Sequence, residues 1–260
     1  MDDLFGEDDD DVVVATGRAA SCGVLAFHSG TEAAMLLHVR RTTQPGVGNI
    51  PSVLAAIDEY CTTRHWMMHV GPTKASILLR EVGALLQQRP PDAPLLFVEI
   101  GSYCGYSCVT LLNHFLQRFP VVRMVCVEGD PECVKWTREL VAYCGLEAHV
   151  TVLEAVVTQE LAKEVLPRFG DKIDVLFIDH DKARYTSDLI LLEDAPGSLL
   201  QSGSIVVADN VLSFGKPLSD YLAHVRDQKR YASSALFEDY VEYADESPQF
   251  RDALEISVRR

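Results

Sequence analysis

The sequence lacks most of what marks a secreted, membrane-spanning or nucleic-acid-binding chain. Its seven cysteines, Cys22, Cys61, Cys104, Cys108, Cys126, Cys133 and Cys144, are odd in number and show no CxxC spacing. A chain of 260 residues needs no covalent staple, so they read as reduced thiols of a cytoplasmic or nuclear protein. Positive charge is scarce. Against 38 Asp and Glu stand 23 Lys and Arg, a net charge of −15, which argues against a nucleic-acid partner because phosphate binding draws on clustered cations. Long apolar runs are missing too: the stretch 19–27 follows an acidic leader and is roughly half of what a signal plus anchor would need, so neither a targeting sequence nor a membrane contact is expected. GxSxG, HExxH and a P-loop lysine are absent, and apart from His180 the histidines show no ligand spacing.

What is present begins with acid. Seven acidic residues crowd the first eleven positions, MDDLFGEDDDD, so residues 1–17 are expected as a disordered, solvated tail, either solubilising or an arm for a protein partner. The remainder, 18–260, is long enough and, at 48% hydrophobic, apolar enough for one domain. TEAAMLLHVRR, SVLAAIDEYC and PTKASILLREVGALLQQ carry helical apolar spacing and form an N-terminal helical cap over about 31–90, closed by RPPDAP. Strands and helices then alternate: LLFVEIG, helix from Tyr106; VRMVCVEG, helix from Pro131; VTVLEA, helix from Thr158; DVLFIDH, helix from Tyr185; SIVVADN, helix from about Pro217. This is the rhythm of a doubly wound, parallel α/β sheet. SSALFEDYVEYA and DALEISVR, joined by the short ESPQFR, break it and predict an antiparallel pair at the sheet edge.

Two strand ends thirty positions apart carry the strongest chemical signal: DVLFIDHDK stops at Asp179, and SIVVADN at Asp209 and Asn210. On one edge of a parallel sheet they would gather hard oxygen ligands of the kind Mg²⁺ prefers. The plain alternative is that each acid caps the helix that follows. Lys182, three positions past Asp179, would feel a divalent cation and could take a proton from a bound hydroxyl, although a lone loop lysine is usually a solvated charge. His180 should point away from the metal, since side chains alternate along a strand, and so toward a cofactor. In VEIGSYCGYS, Gly101 and Gly105 either bare the backbone to a ligand or permit a tight strand-to-helix turn. Glu128 ends the next strand, where a carboxylate can accept from both hydroxyls of a ribose. Together these features point to metal-assisted methyl transfer to an oxygen.

The ordered motifs SVLAAIDEYC, WMMHVG, VEIGSYCGYS, VEGDPEC, LFIDHDKARY, VVADNV, LAHVR and YVEY resemble the catechol O-methyltransferase family of class I methyltransferases, from about Thr31 to the C-terminus. The resemblance implies a Rossmann-like sheet of seven strands with the last reversed, helices on both faces, and S-adenosylmethionine and Mg²⁺ as cofactors. It implies that Met68 and Val70 flank the cofactor, that Glu99, Gly101, Tyr103 and Ser107 line its methionine part, and that Glu128 holds its ribose. Thr158, Gln159 and His180 would meet the adenine. Asp179, also at the cofactor, would ligate the metal with Asp209 and Asn210; Lys182 would be the general base, and Glu242 of YVEY would hydrogen-bond the second catechol hydroxyl. Trp66 would wall a substrate pocket completed by Asp181, Lys182, Asn210, Phe214 and Glu242. Asp181 and Phe214 depart from the pattern, standing where the family has a tryptophan and a proline. A carboxylate in place of an indole should alter ring selectivity or favour a cationic amine side chain.

The expected reaction is in-line transfer of the sulfonium methyl to one hydroxyl of a small-molecule catechol. The alternatives are another vicinal diphenol such as a phenylpropanoid, and a noncatalytic methyltransferase-like protein whose acidic tail recruits a partner.

Overall fold

In a computed structural model of the chain, the structure describes residues 30–213, 216–244 and 246–260. The acidic stretch 1–17 and Phe214 therefore lie outside the described residues. Three helices come first: α1 (Thr31–Thr42), α2 (Ile50–Thr63) and α3 (Gly71–Leu85). Each buries one stripe at helical spacing, Met35, Leu36 and Val39 on α1 and Val53, Ile57 and Tyr60 on α2, as amphipathic helices do.

The alternating stretch supplies β1 (Leu95–Ile100), α4 (Tyr106–Phe115), β2 (Val122–Glu128), α5 (Pro131–Cys144), β3 (Val150–Glu154), β4 (Val175–Ile178), α6 (Tyr185–Asp194), β5 (Ile205–Ala208) and α7 (Ser219–Val225). Two longer strands close the chain, β6 (Tyr231–Tyr240) and β7 (Arg251–Arg259). One seven-stranded sheet results, in the order β3-β2-β1-β4-β5-β7-β6. The first five strands run parallel, and β7 is antiparallel to both its neighbours. The expected Rossmann-like, doubly wound architecture with a reversed last strand is what forms. Strand order turns back between β1 and β4, and ligands bind beyond the carboxyl ends at such a switch point.

Alternation along the strands separates two cores. Leu95 and Phe97 of β1, Phe177 of β4 and Val207 of β5 pack with α1 to α5, whereas Leu96, Val98, Ile100, Leu176 and Ile178 face α6 and α7.

Two expectations need correction. The helix from Thr158 begins as expected, with the Ala162 N–H donating to the Thr158 carbonyl at 3.1 Å, but it is irregular: it passes into a π turn, Leu161–Val165, and a 3₁₀ turn, Leu166–Arg168, where Pro167 has no N–H to continue an α ladder. The strand expected through YVEYA stops at Tyr240, and Tyr243 takes the left-handed conformation with φ 57°, so Glu242 sits on a turn. Among the described residues no helix is long and apolar enough to cross a membrane.

Candidate active site

The two acidic strand ends continue the alternation of their strands. Asp179 follows Val175 and Phe177, and Asp209 follows Ile205 and Val207, so both carboxylates leave the sheet on the side of α3. There they meet Lys74, a helix residue buried to 1% exposure. Its Nζ donates to Asp209 Oδ1 and Oδ2 at 2.8 Å each and to Asp252 Oδ2 of β7 at 2.9 Å. Those bonds use its three N–H groups. Glu242 Oε2, also 2.9 Å away, pairs with the charge alone and has no hydrogen-bond donor. Desolvation works against the ammonium, but the carboxylates of Asp209, Glu242 and Asp252 overcome it and hold Lys74 charged well above the ordinary lysine range. Burial pushes the Glu242 carboxyl up, opposed by Lys74.

Asp179 has its own counter-ion. Lys182 Nζ donates to Asp179 Oδ1 at 2.9 Å and to the Tyr185 hydroxyl at 3.0 Å, and Tyr185 donates in turn to the Asp209 carbonyl at 3.0 Å. A buried tyrosine thus ties the lysine to the second acidic strand end. Asn210 is left-handed, φ 55°, and its Nδ2 donates to Asp252 Oδ2, while its backbone N–H donates to Asp209 Oδ1 at 2.7 Å. Among the described residues the positive-φ positions other than glycine are Tyr103, Asn210 and Tyr243, all at this end of the sheet. Backbone held in a sparsely populated region is typical of sites that must be preshaped.

The donor set suits a hard divalent cation. Asp179, Asp209 and the Asn210 amide offer oxygen only, and the four carboxylates of Asp179, Asp209, Glu242 and Asp252 share two ammonium groups. The carboxylates outnumber the ammonium groups by two; burial pushes the Asp209 and Glu242 carboxyls up, and Asp252 Oδ1 is buried without a donor. One Mg²⁺ would offset that excess and favour the ionised carboxylates.

The cofactor half lies across the switch point. Glu128 closes β2 with both oxygens fixed, Oε2 by the Tyr103 N–H at 3.0 Å and Oε1 by the Asp130 N–H at 2.9 Å, leaving lone pairs for a pair of hydroxyls. Gly101 answers the choice left open by the sequence: a Cβ there would lie 2.4 Å from the Asp179 carbonyl oxygen, so glycine allows the ends of β1 and β4 to touch. His180 turns to the α6 side, with Nε2 2.9 Å from Asp188 Oδ2 and its ring stacked on Tyr185 at 5.2 Å. Desolvation lowers its pKa, opposed by Asp188.

A cavity of about 540 Å³ joins the two halves. Of the residues expected at the site, Trp66, Met68, Gly101, Tyr103, Glu128, Asp179, His180, Asp181, Lys182, Asn210 and Glu242 line it. Trp66 is pinned by a 2.8 Å bond from its Nε1 to the Glu242 carbonyl. Val70, Asp209, Glu99 and Ser107 stand behind the wall. Glu99 is fully buried, hydrogen-bonded to Ser107 and 3.4 Å from Cys126 Sγ, and burial pushes its carboxyl up to about 8. Thr158 and Gln159 also lie off the wall: Thr158 Oγ1 accepts from the Leu161 N–H, Gln159 takes Lys163, and Ala155, Val156 and Val157 line the adjoining recess beside His180. Asp181 accepts from the Ala183 N–H at 3.1 Å, so its carboxylate caps a short turn while lining the cavity. Lys74, Asp252 and Tyr185 were missed by the sequence reading. A signal existed for the first, since Lys74 falls on the same α3 stripe as Leu78 and Val82.

Comparison with known proteins shows the family. A family model described as a methyltransferase domain matches residues 98–211. Bovine (Bos taurus) catechol O-methyltransferase is 35% identical over 221 residues, 85% of this chain and 75% of its own length. The enzyme of the same name from Sus scrofa is 34% identical over 74% of this chain and 92% of its own. The chain belongs to the catechol O-methyltransferase family. It is, by class, an S-adenosylmethionine-dependent O-methyltransferase. Among solved structures, an O-methyltransferase from Bacillus cereus in complex with SAH superposes with a TM-score of 0.60 at 17% identity, covering 95% of this chain and 98% of that one, which supports the shared fold.

Proposed function

We propose that this family member transfers the methyl group of S-adenosylmethionine to one hydroxyl of a catechol, with Mg²⁺ held by Asp179 and Asn210 of the cavity lining and by Asp209 directly behind it. The observation that carries the reading is convergence: Asp179 and Asn210 of the two strand ends, Lys182 and Glu242 meet at one cavity, where four carboxylates share two lysines. When bound, Mg²⁺ would supply the positive field that favours ionisation of the diphenol, and S-adenosylmethionine the electrophilic methyl.

The chain's own residues do the rest. Lys182, unprotonated, takes the hydroxyl proton at Nζ, and Tyr185 holds that amine in place. With the cofactor bound, formation of the O–C bond would break its S–C bond, the electron pair staying on sulfur. Glu242 accepts a hydrogen bond from the neighbouring hydroxyl. Trp66 and Met68 wall the ring and exclude water, and Glu128 orients the ribose. Val70, buried in the core two residues after Met68, would support that wall, and Glu99 with Ser107 would back the methionine end. Thr158 and Gln159 stand near the adenine recess formed by Ala155 to Val157. Alignment is worth up to roughly 7–11 kcal/mol in well-oriented systems, against about 10² to 10⁴-fold for proton removal, so positioning dominates.

The test is methyl transfer to a panel of catechols and matched monophenols, with Mg²⁺ and again with excess EDTA. Diphenol-selective turnover that EDTA abolishes is expected. Undiminished turnover in EDTA would remove the metal from the reading, and equal rates on monophenols would remove the bidentate acceptor. The small, capped side chain of Asp181 leaves this wall without an indole, which favours a second group of acceptors, vicinal diphenols with bulkier substituents such as phenylpropanoids.

A further inference from the structure

The oxygen ligands of the site do not hold themselves in place. Asn210 is a loop residue in a strained conformation, and an amide presents either its oxygen or its nitrogen depending on its neighbours. Its neighbour is Asp252, at the start of β7, fully buried and counted so far only for its charge. The antiparallel pairing of β5 with β7, and the 3.0 Å bond from the Val211 N–H to the Ala253 carbonyl, bring that strand against the 209–211 loop. Asp252 Oδ2 then accepts from Asn210 Nδ2 and from Lys74 Nζ. A carboxylate cannot donate, so only the nitrogen of the amide can face it, and the amide oxygen is turned the other way. Lys74, clamped between Asp252 and Asp209, fixes the second ligand through the same hub.

We propose that Asp252 is a positioning residue that orients the Asn210 amide oxygen for a divalent cation, with Lys74 linking it to Asp209. This rests on the metal site proposed above and adds to it a residue that touches neither substrate nor cofactor. Partners that orient metal ligands typically contribute about 10- to 100-fold to metal affinity.

The probe is Mn²⁺ alone, titrated into the full chain and read by electron paramagnetic resonance without cofactor or acceptor. Asp252→Ala should weaken binding about 10- to 100-fold. Asp252→Asn loses the same charge but keeps an acceptor oxygen for Asn210 Nδ2, and should stay within roughly threefold of wild type. Equal losses in the two variants would mean that Asp252 acts by charge, and the orienting role would be wrong. In an Asn210→Ala background, Asp252→Ala should cost almost nothing more; a full additional loss would also overturn the proposal. If Asp252→Ala fails to fold, Asp252→Leu, similar in shape without an acceptor, takes its place. Asp179→Asn and Asp209→Asn serve as controls on the metal site. If they leave Mn²⁺ binding unchanged, the metal reading falls and this inference with it. If they abolish binding while Asp252→Ala does not weaken it, the inference alone falls.

Discussion

Two buried carboxylate clusters sit at opposite ends of the same sheet, and they are balanced differently. At the end where β6 begins and β7 finishes, Glu193 of α6 receives His224 Nε2 at 2.9 Å, Arg230 at 3.1 Å, Arg259 at 3.3 Å and the Tyr231 hydroxyl. That carboxylate is oversupplied with donors. At the other end, four carboxylates share Lys74 and Lys182, and buried oxygens of Glu242 and Asp252 go without donors. Leaving charge unmatched in a dehydrated setting costs stability, so a fold kept for rigidity alone would have no reason to retain it. The satisfied cluster reads as architecture, and the deficient one as a place waiting for a ligand.

The sharpest way to break that contrast is to remove one charge from each end. Lys182→Ala should lower turnover by about 10² to 10⁴-fold while leaving the dissociation constant of S-adenosylmethionine nearly unchanged, as seen by calorimetry beside steady-state kinetics. Equal turnover in the variant would take Lys182 out of the chemistry. Glu193→Ala should do the opposite: it strands the buried Tyr231 hydroxyl and the largely buried His224 and Arg259 donors and should cost about 3 kcal/mol in denaturant unfolding, with turnover per folded molecule kept. A variant that melts like wild type would show that the donors were solvated all along.

How much of this contrast the sequence discloses depends on where the charges sit. Asp179, Asp209 and Asn210 are legible because each ends an apolar β-branched run, and a parallel sheet aims such ends at one edge. Glu128 is legible for the same reason. Lys74 is not, because a lysine in a helix normally marks the solvent face, and only its register with Leu78 and Val82 betrays burial. Asp252 lies in RDALEISVR, a strand buried on both faces from Asp252 to Ser257, so no polar-apolar alternation flags it. The irregular turns after Thr158 were masked by helical spacing that Pro167 cuts short.

The two ends also hold matched histidines. His224 has Glu193 as a partner, whereas His69, stacked on Tyr106 beside the active site, is buried with Nε2 unpartnered. Burial holds its pKa down to about 3. A depressed folded-state value means that the unfolded chain binds the proton first, so the stability His69 contributes is intact above about pH 6.5 and is lost as pH falls toward 3. By pH 5 the loss should be about 2 kcal/mol. His69→Phe, which keeps a ring against Tyr106, should flatten that part of the stability profile in melts run from pH 7.5 to 5. An unchanged slope would assign the acid sensitivity to other groups.

The smallest expected effect concerns an acid that borders the deficient cluster without sharing its charge. Asp181 lines the cavity, yet its Oδ1 accepts from the Ala183 N–H at 3.1 Å, the geometry of a turn cap. If capping is its contribution, Asp181→Ala should cost about 1 kcal/mol, while Asp181→Asn, an equally good cap without the charge, should cost only a few tenths. Thermal unfolding of the two variants separates the cases. Equal losses would place Asp181 with the charged network, and the boundary of the deficient cluster would have to be redrawn to include it. Unequal losses leave that boundary at Lys182, where a short turn brings a lysine to the cavity because the residue before it is spent on holding the turn.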